Sequence, residues 1–263
     1  MLSLVSPVSY LKPTTRGKTE PLMVLCERQD GSEVELVAKF SGACEEKEVN
    51  LAREVIAACL AGDLGLPVAE PMIVASSPQW ISSIPDPAVR AKVAASCPVA
   101  FGSKLWTGQF SVWNSGTQIT ESMLQTAAAI FTFDAIIQNF DRRDENPNCL
   151  INGERMLIFD HEQAFMHGLV LFWTPPWTLG GLQNFEVPAR HIFRPNLFGR
   201  AIDFPSIKTS WTNISDQRVT EYLAAVPPEW RGNQGPLDAA LALIRDARDN
   251  IDGCLQEISR VLT

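Results

Sequence analysis

Apolar and polar positions alternate in two early runs of this 263-residue chain, residues 22–27 and 33–40. Period-two alternation predicts strands, and Asp30-Gly31 between the runs is a hairpin signal. In the second run Val34, Leu36, Ala38 and Phe40 share one face, which leaves Lys39 on the other beside Val37. Residues 48–63 carry apolar positions at helical spacing, and Gly65 and Pro67 forbid continuation. Glu54 lies on the mainly apolar face of that helix with Leu51, Ala58 and Ala61. A second helix is expected over 121–139, where Leu124, Ala127, Ala128, Phe131, Ala135 and Ile136 recur at steps of three and four without Gly or Pro. Behind it, strand-like runs 148–151 and 154–159 flank Asn152-Gly153, a strong hairpin signal that would set Ile151 opposite Glu154. On that register Asn146 meets Asp160 at the open end of the hairpin. The last pattern, Leu237, Leu241, Ile244, Ile251, Leu255, Ile258 and Leu262, predicts one helix over 236–262 packed on the rest of the chain.

The polar residues between these elements carry the chemistry. Asp141 sits just past the second helix, Asn146 follows five positions later, and Asp160 closes the second hairpin strand. A hydroxyl nucleophile needs a carboxylate to orient it and accept its proton, and a triphosphate needs Mg²⁺ held by hard oxygen ligands. Asp141 is therefore the expected base, with Asn146 and Asp160 the expected metal ligands. Read without context, DRRDEN is only a solvated charge run and Asp160 a cap; the flanking helix and Asn-Gly hairpin favour the chemical reading. Lys39 in an apolar strand calls for an anionic partner, a carboxylate or a phosphate. Glu54 is the expected carboxylate and Glu48 the second choice. The alternatives are an edge-strand lysine whose amine reaches water and an ordinary surface glutamate. Gly17-Lys18-Thr19 is no phosphate loop of the Walker type, since Lys12 stands where a Gly is required. Residues 14–19 could still form a phosphate-covering turn, with Gly17 and Lys18 as nucleotide contacts, or an ordinary basic turn.

These stretches resemble the HipA-like kinases, in particular a short single-domain group. The likeness rests on VELVAKF, LAREVIAACLAGDLGLPVAEP, VAFGSKL, FDAIIQNFDRRDENPNCLI and LIFDHEQAF, the last two being the most specific. It implies a two-lobed α+β fold of the protein-kinase type over residues 1–263, with a small antiparallel-sheet N-lobe to about residue 100 and a mainly helical C-lobe from about 101. It also implies ATP and Mg²⁺ as cofactors, Asp141 as base, Asn146 and Asp160 as magnesium ligands, and Lys39 on the phosphates. The acceptor would be a hydroxyl on a protein Ser or Thr, or on a small molecule. The chain departs from wider kinase patterns at Phe140, where His-Arg is common, at Arg143, where related proteins have His, and at His161-Glu162, which replace Phe-Gly. These departures put in doubt any switch built on Phe-Gly mobility. They leave two rivals: a nucleotide-binding pseudokinase scaffold, and an acidic metal site of Asp141, Asp144 and Asp160 for phosphate-ester hydrolysis.

Composition narrows the setting. With 46% hydrophobic and 20% charged residues the chain can bury a sizeable core. A net charge of −8 argues against a nucleic-acid surface. No stretch approaches the ~20 apolar residues of a membrane span, and the first residues do not read as a signal peptide, so a cytoplasmic location is expected. Six cysteines lack C-x-x-C spacing and three histidines lack H-E-x-x-H, so a zinc site is not expected; nor is a serine hydrolase, for want of G-x-S-x-G. Residues 172–198, rich in Trp, Pro and Phe, follow the metal-ligand strand where a kinase has its substrate-facing segment; their aromatics serve either docking or packing.

Overall fold

The computed structural model describes residues 2–14 and 19–263. Gly17 and Lys18, expected to contact nucleotide, lie outside the described residues. The fold is mixed α+β. Strands β1 (Ser3–Pro13), β2 (Leu22–Arg28) and β3 (Glu33–Lys39) are followed by helix α1 (Glu48–Asp63), β4 (Pro71–Ala75), short helices α2 (Pro78–Ser83) and α3 (Pro87–Ala94), and β5 (Val99–Lys104). The β2–β3 hairpin forms as its alternation dictates, with Leu22 opposite Ala38 and Cys26 opposite Val34. Its inward side chains join Val5, Met72, Val74 and Ala100 in one core, capped by Trp80 of α2, Val93 of α3 and Ile84 between them.

The sheet differs from the small antiparallel one expected with a single helix. It runs β1-β2-β3-β5-β4 and closes into a barrel, because β1 also pairs in parallel with β4 through Ser3–Met72, Leu4–Ile73 and Val5–Val74. Register shifts between Pro7 and Ser9 and between Tyr10 and Lys12 bend β1 enough to serve both neighbours. Gly102 permits the tight turn of the wall: a Cβ there would stand 2.8 Å from Val74 Cγ2.

Helix α1 is buried along nearly its whole length, from Asn50 to Ala58 without a break. It is wedged between the barrel and helices α7 (Asp216–Ala225) and α8 (Gln234–Asp249). This is why its sequence lacks a clean polar face: a helix covered all round has no solvent side to mark. The larger core gathers α1, α4 (Glu121–Ile136), α5 (Arg194–Leu197), α6 (Phe204–Thr212), α7, α8 and α9 (Ile251–Val261). Helix α4 stops at Ile136, three residues before the expected end. Gln138 adopts φ 57°, Asn139 N–H donates to Asp134 O (2.8 Å) and Gln138 N–H to Ala135 O (3.4 Å), a Schellman closure with Gln in place of the usual Gly. The expected single C-terminal helix is two helices broken at Asn250, whose backbone leaves the helical region at φ −112°, ψ 27°. Gly253 in α9 lies against Trp177, where a Cβ would come 2.7 Å from the Trp177 carbonyl oxygen.

The second hairpin, β7 (Cys149–Asn152) and β8 (Arg155–Ile158), pairs Asn152 with Arg155 and Ile151 with Met156. The turn is therefore Gly153-Glu154, with Gly153 at φ 59° as its first central residue, and the expected Ile151–Glu154 pairing is corrected. The slip is by two residues, so each side chain keeps its face. Strand β6 (Ser111–Val112) joins β7 to complete a three-stranded sheet.

Candidate active site

Lys39, the last residue of β3, is 5% exposed and points to the seam between the barrel and the second hairpin. Its Nζ donates to Asp160 Oδ1 (2.6 Å), Glu54 Oε2 (3.2 Å) and Glu162 Oε2 (3.2 Å). The expected partner Glu54 is thus present; Glu48 is not among the partners. Asp160 reaches the ammonium because it leaves β8 at φ 61°, turning the chain out of the strand. Glu54 also accepts His161 N–H at 2.7 Å, and Asn50 Nδ2 donates to the Glu162 carbonyl at 3.2 Å, so α1 grips the backbone after Asp160 at two points.

Three carboxylates share one ammonium. Burial alone would lower the Lys39 pKa, but Asp160, Glu54 and Glu162 outweigh it and hold the lysine charged well above its ordinary range. Burial pushes Glu54 up, yet Lys39 and the bonds from His161 bring it down to about 2. Glu162 is pushed up to about 7 by burial, with Asp160 and Glu54 adding to the rise against Lys39. Carboxylate oxygens of Glu54, Asp160 and Glu162 lie within 4.8 Å of one another, but the lysine ammonium binds all three and so fills the space a cation would take.

Asp141 occupies the loop after the α4 closure. Its Oδ2 accepts Asn146 Nδ2 (2.7 Å) and Asn148 Nδ2 (3.3 Å), and its own N–H donates to Asn139 Oδ1 (3.3 Å). A tight turn sets this spacing: Asn146 N–H donates to Arg143 O (2.9 Å) and Arg143 N–H to Asn146 O (3.2 Å). Burial, and secondarily Asp160, raise the Asp141 pKa, while Asn146, Arg143 and Asn148 oppose the rise. Because Asn146 donates through nitrogen, its amide oxygen is the atom left for a cation. Asn146 reaches the site through this turn; the β7–β8 ladder ends at Cys149–Ile158, so neither Asn146 nor Asp160 is a rung of it.

Beneath the loop lies a polar cluster that the sequence hid. Arg142 has no solvent exposure; its Nε donates to Asp134 Oδ2 (2.6 Å), and its Nη1 to the carbonyls of Asn148 and, at 3.3 Å, Phe159. One guanidinium therefore ties the loop to the residues that open β7 and precede Asp160. Phe193 N–H donates to His191 Nδ1 (3.2 Å), so Nε2 carries the proton and donates to Asp134 Oδ2 at 3.0 Å. Burial lowers the His191 pKa, consistent with this neutral ring. In DRRDEN the two arginines look alike, and only the distant partners make Arg142 internal.

A cavity of ≈ 300 Å³ opens between the barrel and the β7–β8 hairpin. Lys39, Glu54, Asn146 and Asp160 line its polar end, and Val37, Phe101, Leu105, Trp106, Leu150 and Leu157 its apolar part. Four of the expected site residues thus share one cavity, with Asp141 bonded to one of them. The apolar part suits an aromatic base, the lysine end suits phosphates, and the amide and carboxylate oxygens are the hard donors a Mg²⁺ ion requires. The aromatic segment after Asp160 divides: Phe185 and Phe193 are buried, while Phe172 is 91% exposed. Trp173 Nε1 donates to Gln138 Oε1 (3.2 Å) and Phe165 N–H to Ile137 O (2.8 Å), which fixes both flanks of the exposed tip beside the start of the Asp141 loop.

With this geometry, the family profile described as HipA-like kinase matches residues 8–257. Among solved structures, the Helicobacter pylori proinflammatory kinase CtkA is similar in fold, with 11% sequence identity, a TM-score of 0.51 and 96% of each chain covered. No curated protein matches the sequence.

Proposed function

Because the chain belongs to the HipA-like kinase family and is a phosphotransferase on that ground, we propose that it moves the γ-phosphate of ATP, with Mg²⁺, to the hydroxyl of a protein serine or threonine. The whole chain acts as one kinase-like domain of two lobes, the barrel part to about residue 100 and the helical part from about 101. One observation carries this reading: Lys39, Asn146 and Asp160 line one cavity, and Asn146 bonds the carboxylate of Asp141.

In the proposed mechanism the base of ATP lies against Val37, Leu105 and Leu157, with its phosphates toward Lys39. Lys39, kept charged by its carboxylates, binds the phosphate oxygens. Asn146 and Asp160 would hold Mg²⁺, whose charge stabilises the transferring phosphoryl group. Asp141, its carboxyl fixed by the amides of Asn146 and Asn148, orients the acceptor hydroxyl and takes its proton. ATP use and six free cysteines fit work in the cytoplasm.

The test measures ATP affinity and phosphate transfer to a protein acceptor together. Asp141→Asn should slow transfer by roughly 10²–10⁴-fold while leaving nucleotide binding in place. Tight Mg²⁺-dependent binding with no transfer to protein or small-molecule acceptors would make the chain a scaffold. Transfer to a sugar or aminoglycoside alone would move the substrate class.

A further inference from the structure

Lys39 has three N–H donors, and in this structure all three are taken, by Asp160, Glu54 and Glu162. An ammonium so saturated has nothing left for a phosphate, so nucleotide binding must displace one carboxylate. The three are not equivalent. Asp160 lines the cavity, and its side chain is 17% exposed, more than either glutamate. Glu54 Oε2 is held more closely by His161 N–H, at 2.7 Å, than by the lysine, at 3.2 Å, so this oxygen serves two donors. Glu162 does not line the cavity, and its backbone is fastened to α1 through Asn50. Its Oε2 lies 3.2 Å from the lysine, as close as that of Glu54.

We infer that Glu162 is a positioning residue for Lys39, a second carboxylate that works with Glu54 to aim the ammonium at the phosphates once Asp160 has turned to the cavity. This deepens the kinase reading and rests on it. Displacing Asp160 leaves two N–H bonds holding the lysine from behind and frees the third toward the cavity. With a single glutamate, the same displacement would leave the lysine on an oxygen already committed to His161. The site should therefore tolerate loss of either glutamate better than loss of both.

The experiment is a set of double-mutant cycles on the full chain. Affinity for the non-hydrolysable analogue β,γ-imido-ATP is measured by calorimetry with and without Mg²⁺, beside KM and kcat for ATP. The variants are Lys39→Met, Glu54→Gln, Glu162→Gln, Glu54→Gln/Glu162→Gln and Lys39→Met/Glu162→Gln. Glu162→Gln and Glu54→Gln should each weaken binding several-fold and raise KM more than they lower kcat. The Glu54→Gln/Glu162→Gln pair should exceed the product of its single effects by roughly tenfold, because the two residues act on one lysine. In the Lys39→Met background Glu162→Gln should change affinity no further, whereas a purely structural glutamate would weaken it again. The inference is overturned if Glu162→Gln matches wild type alone and in the Glu54→Gln background while Lys39→Met is impaired. If Lys39→Met itself binds like wild type, the kinase reading of this lysine falls with it. Should Lys39→Met fail to fold, the cycle between the two glutamates decides without altering the lysine.

Discussion

At the scale of single residues, the buried charges set the chain's response to acid. Glu162 titrates near 7, above its ordinary value of 4.5, so it favours the fold when protonated; that contribution is complete below about 4.5 and is lost as pH rises through 7. Glu54, brought down to about 2, has the opposite sign: its contribution is present above about 4.5 and is lost as pH falls through 2. Of these two glutamates, only Glu162 changes sides between pH 5 and 8. Urea unfolding should show Glu162→Gln gaining stability relative to wild type across that window; a constant difference would mean the group titrates normally. Arg142 is the other residue of consequence. Replacing it with Met leaves Asp134 buried without its guanidinium partner and should cost about 3–5 kcal/mol, the usual penalty for breaking a buried pair, in the same urea measurement.

At the scale of elements, glycine spacing governs how the C-terminal helices seat. Gly253→Ala should force α9 away from the Trp177 carbonyl and lower stability by about 1–3 kcal/mol, read as a fall in melting temperature. The elements themselves were largely readable from periodicity. The β2–β3 hairpin, α1, α4 and the existence of the second hairpin all follow from patterns local in sequence. What the sequence concealed was set by partners far away. The break at Asn250 escapes because apolar spacing carries on through it, although the backbone does not. Barrel closure escapes because β1 contains two prolines and pairs with β4 across some seventy positions, with no local signal. Glu162 and Arg142 look like surface charges until Lys39, Asp134 and His191 arrive from elsewhere. Lys39 and Glu54 were visible for the converse reason: each is a charge on an apolar face, which calls for a partner.

At the scale of the whole molecule, the cavity lies between the barrel and the β7–β8 hairpin, so a ligand there should stabilise both together. ATP with Mg²⁺ at a hundred times its dissociation constant should add about 2.7 kcal/mol to the folded state and raise the melting temperature in one transition. Asp160→Ala should remove the Mg²⁺-dependent share of that rise; an undiminished rise would place the ion elsewhere. No described helix is long and apolar enough to cross a membrane.

The guanidinium of Arg142 also bears on how such a centre can be moved or redesigned. Its anchor, Asp134, belongs to a helix and is itself held by His191 from a segment some fifty residues downstream, while the carbonyls it clasps belong to two further stretches. A graft of the short loop alone into a foreign host would bring the keystone without its arch, and the transplanted aspartate would lose its aim.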